Sequence, residues 1–390
     1  MTSLCFDVET STVNKGNPFT ARGKLVSYSC KVGGGKTTFN YFDSPTFLSE
    51  LRNCLAQARL VIGFNLKFDL HWASRHKIKP NERARIWDCQ IAEFLISGQK
   101  NSYPSLDEAC AKHGLGKKDD KIKEYWEAGI DTEFVPRDEL EFYNNLDVDL
   151  TYALYLSQQK VMTDKQKKLC LIMGLDLLCL QEMEENGVKF DTTLCLDKAK
   201  TTKEQLEEIT DKLLKYSPSR DINLDSGQQL SCLLYGGKFE VDYVTEETTV
   251  YKSGKQKGQP LVKNVHNEVV YSCPRLFEPL PKSETKLKKK LNGEEITIYV
   301  TNEDTLKQLK ARSPLQKEII KMLLIRAELA KLLDTYYASL PLLLEEMQWG
   351  DILHPTYNQC VARTGRLSSS KPNAQNFSGE VDLLLVSRYN

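Results

Sequence analysis

Two carboxylates on one face of an otherwise apolar strand constrain the fold of this chain more than any other feature. Residues 3–8 read SLCFDV, a strand, and Asp7 and Glu9 are alternate residues, so both side chains leave the same face of the sheet. Side by side they repel each other and attract divalent cations. Asp69, in GFNLKFDL, falls just past a short apolar strand at 59–64, where a βα junction points it at the same edge. Asp147 follows Tyr143 by four residues on a predicted helix at 138–159, which puts phenol and carboxylate on one helix face. Taken singly, each of these groups reads as a solvated surface charge. Four carboxylates converging from two strand regions and one helix suit two Mg²⁺ ions, and Mn²⁺ fits the same oxygen-rich site. In such a site one ion generates hydroxide from water, both stabilise a pentacovalent phosphate, and Tyr143 orients the water.

The elements around these residues predict a mixed sheet flanked by helices. Strands at 3–8 and 25–32 are followed by GGGK as a turn into TTFNYF, then a helix at 45–58 and a helix beginning near Leu66. The run GGGKTT has the tail of a phosphate-binding loop, but Cys30 stands where its first glycine is needed, so a hairpin turn is the better reading. His71 and His76 lack partners at zinc spacing, and the apolar stripe at 169–183 reads as core. After residue 160 the texture changes to long helices at 164–186, 195–216 and 314–347, with a hairpin-like insert at 236–305.

At 390 residues the chain predicts two or three domains. Lys+Arg and Asp+Glu are both 53, so only local charge can mark a nucleic-acid surface. Eleven cysteines without one C-x-x-C pair read as reduced thiols. With no basic n-region at the start and no membrane-length apolar run, the expectation is a protein of the cytosol, neither exported nor membrane-embedded.

Taken in order, FDVET with Asp7 and Glu9, GFNLKFD with Asp69, and YNNLD with Tyr143 and Asp147 resemble the DEDD exonucleases of the RNase H-like fold, in the subgroup with Tyr in the third motif. The resemblance implies 3′-5′ exonuclease activity over about residues 1–158 and a 3′-nucleotide pocket lined by Thr10, Asn65 and Phe68. Asp88, in IWDCQIAEFL, also fits the pattern, but reads as a helix cap or supporting residue rather than a ligand.

The second half resembles the thumb of family A DNA polymerases, the type of bacterial polymerase I and many phages. Met183, Glu184, Asn186 and Gly187 match a Met-Glu pair before an Asn-Gly turn, and Asn223 to Leu230 match an Asn-Leu-x-Ser-x-x-Gln-Leu segment. HPTYNQCVARTGRLSSSKPNAQNF at 354–377 matches the family's TGRLSSxxPNLQN motif, with Ala374 in place of Leu and Phe377 in place of Ile. Its guanidinium, hydroxyls and amides suit backbone and minor-groove contact. The resemblance implies a thumb at 159–347, the start of a palm at 348–390, and primer–template contacts from Thr364, Arg366, Ser368, Ser369, Asn373, Gln375 and Asn376. The lysine-rich stretches YKSGKQKGQPLVK and KSETKLKKK in the insert are either solvated faces or neutralise duplex phosphates.

In that family the nucleotidyl-transfer carboxylates and the fingers helix follow the TGRLSS segment, and neither lies within these residues. The expectation is therefore a split phage polymerase, with palm and fingers on a second polypeptide and DNA as the substrate of both. A shortened chain and a gene remnant stay open beside it. Two other functional classes compete: a DNA-binding or assembly subunit without catalysis, against which the complete carboxylate set argues, and a stand-alone repair exonuclease, which has no use for a primer-duplex grip.

Overall fold

The computed structural model describes residues 2–118, 121–250, 259–281, 289–291, 294–377 and 379–388. They pack as two compact units, Met1–Thr192 with Leu340–Asn390, and Thr193–Ser339. In the first unit a five-stranded sheet has the order β3-β2-β1-β4-β5. Its strands are β1 (Ser3–Thr10), β2 (Leu25–Val32), β3 (Thr38–Tyr41), β4 (Leu60–Gly63) and β5 (Arg85–Asp88). β2 runs antiparallel to both β1 and β3, and β4 runs parallel to both β1 and β5. This is the mixed sheet the sequence predicts. Gly33 and Gly34, at φ of 58° and 77°, make the hairpin turn between β2 and β3, a conformation that costs glycine little.

The alternation of β1 separates its two faces. Leu4, Phe6 and Val8 are buried on one side, each worth about 1.5–3 kcal/mol of burial. Tyr28, opposite Val8, donates its hydroxyl to the Phe47 carbonyl of α1 (Phe47–Gln57), so α1 covers that face. Cys5, Asp7 and Glu9 face the other way, and the Cys5 thiol donates to the Val148 carbonyl of α6 (Arg137–Val161). Leu140, Tyr143, Asn144, Asp147, Val148, Thr151, Leu154 and Gln158 are the buried stripe of α6, the spacing of a single helix face.

Between these elements, α2 (Leu66–Arg75) follows β4, and α3 (Cys89–Ile96) follows β5 directly. Asp88 joins the two junctions. Its carboxylate accepts the N–H of Gln90 and Ile91 as the cap of α3, and also the N–H of Asn65 and Leu66 where α2 begins. The chain continues through α4 (Leu106–Lys112) and α5 (Lys121–Glu127) to α6, then α7 (Asp164–Asn186) and β6 (Val188–Phe190).

The second unit holds α8 (Thr192–Leu214, its first residue in the first unit), α9 (Gly227–Tyr235), strands β7 (Gly237–Val250) and β8 (Pro260–Cys273), the short pair β9 (Lys289–Leu291) and β10 (Glu294–Ile296), α10 (Glu303–Gln308) and α11 (Pro314–Leu332). Its core includes Leu213, Leu233, Leu234, Phe239, Phe277, Ile319 and Leu323. Ser226 caps α9, and Asp225 receives a two-pronged bond from Arg326 at 2.6 and 2.8 Å. The hairpin texture of the insert is found in the antiparallel β7–β8 pair. Most of the two lysine-rich stretches falls on 251–258 and 282–288, outside the described residues.

The segment expected as one helix over 314–347 is helical throughout but changes register once. A π-helical turn at Leu333–Ala338 separates α11 from α12 (Ser339–Met347). Pro341 has no N–H for the Tyr337 carbonyl, which accepts the Cys195 thiol instead. Back in the first unit, β11 (Ile352–Leu353) and β14 (Leu385–Val386) flank β6 in a small sheet, and β12 (Thr356–Asn358) pairs with β13 (Ser368–Ser370). All eleven cysteines are free thiols. Among the described residues no helix is long and apolar enough to cross a membrane.

Asp88→Ala is expected to lower the unfolding free energy by about 1–3 kcal/mol, because it strands backbone donors at two helix starts. Urea unfolding measures it, and a loss below the experimental error would contradict the double-cap assignment.

Candidate active site

β1 and α6 bring Asp7, Glu9 and Asp147 together, with one carboxylate oxygen of each within 4.8 Å of the others. Asn144, next to Tyr143 on α6, fixes Asp7 by donating to its Oδ2 at 2.8 Å. Ser27 and Ser29, opposite Glu9 and Asp7 on β2, reach Asn144 and Asn145 and tie the helix to the sheet. Asp69 does not join the set of three. It sits in the first turn of α2, and its Oδ1 accepts the Val8 N–H at 3.0 Å, beyond the point where β4 stops pairing with β1. It still feels Asp7 electrostatically, each carboxylate disfavouring the charge of its neighbour.

The electrostatics are those of an acidic cluster partly withdrawn from water, with Asp147 buried and Asp7 half-buried. Burial, then Asp147, raise the Asp7 carboxyl from its ordinary 3.8 to about 7. Burial and Asp7 push Glu9 well up, burial and Asp7 do the same to Asp69, and burial raises Asp147. Asp147 Oδ1 is buried and has no hydrogen-bond partner among the described residues. Oxygen-only donors, mutual repulsion and an orphaned ligand atom fit a hard divalent cation. Tyr143 is buried beside them, its ring edge-on to Trp126 at 6.1 Å, and burial raises its phenol.

A cavity of about 440 Å³ opens beside Glu9, lined by Thr10, Phe68, Lys15, Gly16, Trp126 and Thr132. Gly16 is required here, since its φ is +72° and a Cβ would meet Thr10 Oγ1 at 2.6 Å. Asn65, in the left-handed conformation at the start of α2, lines an adjoining cavity of about 530 Å³ together with Phe68, Lys15, Lys67 and His71. Thr10 and Phe68 thus stand in one cavity with Glu9, while Asn65 stands in the next. Lys15, Trp126 and Lys118 are absent from the sequence reading. Lys118 Nζ lies 2.5 Å from Asp147 Oδ2. These residues occupy loops and short helices without periodic signal, and only an aromatic residue in the polar run KIKEYWEAG hinted at Trp126.

The resembled thumb and palm residues have distinct placements. Glu184 is buried, and its carboxylate accepts Lys67 Nζ at 2.5 Å, the Tyr357 N–H at 2.6 Å and the His71 ring at 2.7 Å, joining α7 and α2 to β12. Gly187 ends α7 and leads into β6. Thr364, Arg366, Asn373, Gln375 and Asn376 are exposed and Ser368 is half-buried on β13. Ser369 is turned inward, its hydroxyl donating to the Pro372 carbonyl and accepting the Ala374 N–H, so it braces the ribbon from within.

The sheet, its covering helix and the ordered carboxylates define the class, an RNase H-like exonuclease domain. Residues 1–163 match the 3′-5′ exonuclease family, and residues 274–383 match DNA polymerase family A. By these matches the chain is similar to the family A DNA polymerases, over their 3′-5′ exonuclease domain and part of their polymerase domain. It is 23% identical over 364 residues to a DNA polymerase of Bacillus phage SP01, covering 88% of this chain and 37% of the relative. It is 25% identical over 329 residues to DNA polymerase I of Synechocystis, covering 80% of this chain and 26% of the relative. The chain thus spans between about a quarter and two fifths of the length of these relatives. Among solved structures it shares its fold, at a TM-score of 0.61 and 16% identity, with the POL domain of Pol1 from M. smegmatis in complex with DNA primer-template and dNTP. That match covers 97% of this chain and 52% of the other.

The raised Asp7 carboxyl has a consequence for stability. A group that holds its proton more tightly folded than unfolded takes up a proton on folding between its two values, here between 3.8 and about 7. Its contribution is therefore lost as pH rises through that window. With metal chelated, the urea midpoint is expected to fall between about pH 4 and about pH 7, and Asp7→Asn to flatten the slope. A flat wild-type profile would contradict the burial of this charge.

Proposed function

We propose that this chain hydrolyses the 3′-terminal phosphodiester of single-stranded DNA as the editing nuclease of a replicative, phage-type family A polymerase. The carrying observation is the approach of Asp7, Glu9 and Asp147 to within 4.8 Å beside a cavity lined by Thr10, Phe68 and Trp126. Asp7, Glu9 and Asp147 would hold a divalent cation, with Asp69 beside Asp7 available for a second. Bound there, Mg²⁺ or Mn²⁺ supplies a water-derived hydroxide at neutral pH and stabilises charge on the phosphate.

The protein's own residues do the rest. Phe68 and Trp126 offer aromatic surface on which a terminal base can stack, which is sequence-tolerant because every base has a π-face. Lys15 offers a cation to the backbone of the same strand. Asn144 fixes the rotamer of Asp7, and Tyr143 and Asp147, one helix turn apart, present a phenol and a carboxylate to one spot. The exposed Arg366, Asn373 and Gln375 would contact the primer–template duplex. That grip supports an editing role over a stand-alone nuclease, and the buried carboxylates support catalysis over a purely assembling role.

Purified chain with Mg²⁺ is expected to release mononucleotides from 3′-labelled single-stranded DNA. Asp7→Ala should cut the rate by more than about 100-fold, since loss of a group that only supports a ligand already costs about 10–100-fold. No mononucleotide, or an unchanged Asp7→Ala rate, overturns the reading. Arg366→Ala is expected to weaken primer–template binding and to lower the slope of log affinity against log salt by about one, read by fluorescence anisotropy. Primer extension by residues 1–390 alone is expected to be nil and to appear when a polypeptide carrying palm and fingers is added.

A further inference from the structure

Lys118 brings a positive charge into the acidic cluster from a loop that carries none of the motifs. Its backbone N–H donates to Asp107 Oδ1 at 3.0 Å, in the first turn of α4, and that turn is itself closed by a capping box of Ser105 and Glu108. From this anchor the side chain runs inward and is 20% exposed. Nζ ends 2.5 Å from Asp147 Oδ2 and 5.1 Å from the centre of the Tyr143 ring. Asp147 is one of the three residues whose oxygens gather within 4.8 Å, and its second oxygen has no partner among the described residues. One oxygen of a candidate ligand is therefore engaged by an ammonium while the other is left bare.

An ammonium and a hard divalent cation draw on the same donors and the same negative charge. Resting on the reading of this cluster as a metal site, we propose that Lys118 is its resident counter-ion. The ammonium holds Asp147 in place when the site carries no metal, and it is displaced when a divalent cation binds. Lys118 is thus a positioning residue that sets how tightly the cation is held. Anchoring by Asp107 confines the main chain, so the exchange is a swing of one flexible side chain and needs no movement of β1 or α6. Each exchange trades one positive charge for two, leaving the cluster closer to neutral than the lysine alone can make it.

A lysine that merely shapes the site would predict the opposite response to its removal. Mn²⁺ binding by the full chain, followed through the free-ion electron paramagnetic resonance signal, is expected to tighten about tenfold in Lys118→Met, because the cation no longer breaks a buried pair. Unchanged or weaker binding overturns the proposal. Displacement is read separately on the unaltered protein, which avoids any folding defect of the variant. Brief acetylation with an N-hydroxysuccinimide ester, quantified by mass spectrometry, is expected to modify Lys118 several-fold faster with Mn²⁺ than without, while exposed Lys24 is unaffected. Equal or slower labelling of Lys118 overturns the proposal even if Mn²⁺ binds. Should the wild-type chain take up no Mn²⁺ at all, the metal-site reading fails and this proposal with it.

Discussion

Three carboxylates enclosed between a sheet face and a helix repel one another, and the architecture of the first unit follows from holding them there. An unpaired buried charge costs several kcal/mol, so the strand that carries two of them must be secured elsewhere. Leu4, Phe6 and Val8 secure it on the opposite face, under α1. Asn144 bonds one carboxylate directly, and Ser27 and Ser29 keep α6 registered over the strand. Asp69 spends an oxygen on the Val8 N–H, which would otherwise be an open donor where β4 ends. The residues nearest the chemistry are thus also structural parts of the sheet, and nothing in the cluster is free to drift without loosening a ladder or a helix.

Much of this was legible in the sequence because it rests on short periods. The alternation of Asp7 and Glu9 follows from the two-residue repeat of a strand, and the pairing of Tyr143 with Asp147 from the turn of a helix. Asp88 could be read as a cap from its place before an apolar helix, although its second set of bonds, to the start of α2, needs the two βα junctions side by side. What escaped reading has no period. Lys118, Lys15 and Trp126 reach the site from loops and short elements whose course is decided by what they pack against. The π-helical turn between α11 and α12 escaped for a related reason. Apolar spacing carries on through 314–347, while a lone proline and a distant thiol decide where the hydrogen-bond ladder slips. Ser369 belongs to the TGRLSS segment in sequence but turns its hydroxyl into the ribbon, a distinction between neighbours that a motif cannot make.

The two adjoining cavities share Thr12, Lys15 and Phe68, so the space beside the carboxylates is continuous in its lining with the space beside Asn65, Lys67 and His71. Phe68 stands at the junction because it lies one residue before Asp69 on α2, and α2 is positioned by Asp88. Cluster and pocket are therefore registered through the same short helix.

The Glu184 staple bears on how such a chain can be dismantled. Its carboxylate belongs to the long helix following the nuclease domain, yet two of its partners, Lys67 and His71, lie inside that domain and the third is the main chain of Tyr357. An engineer who cuts away the nuclease residues to leave a non-editing remainder also removes both side-chain partners of a buried acid, at a cost of about 3–5 kcal/mol. A point substitution in the carboxylate cluster leaves the staple whole. Silencing and excision are thus different operations on this protein, and only the first leaves the TGRLSS ribbon on its original footing.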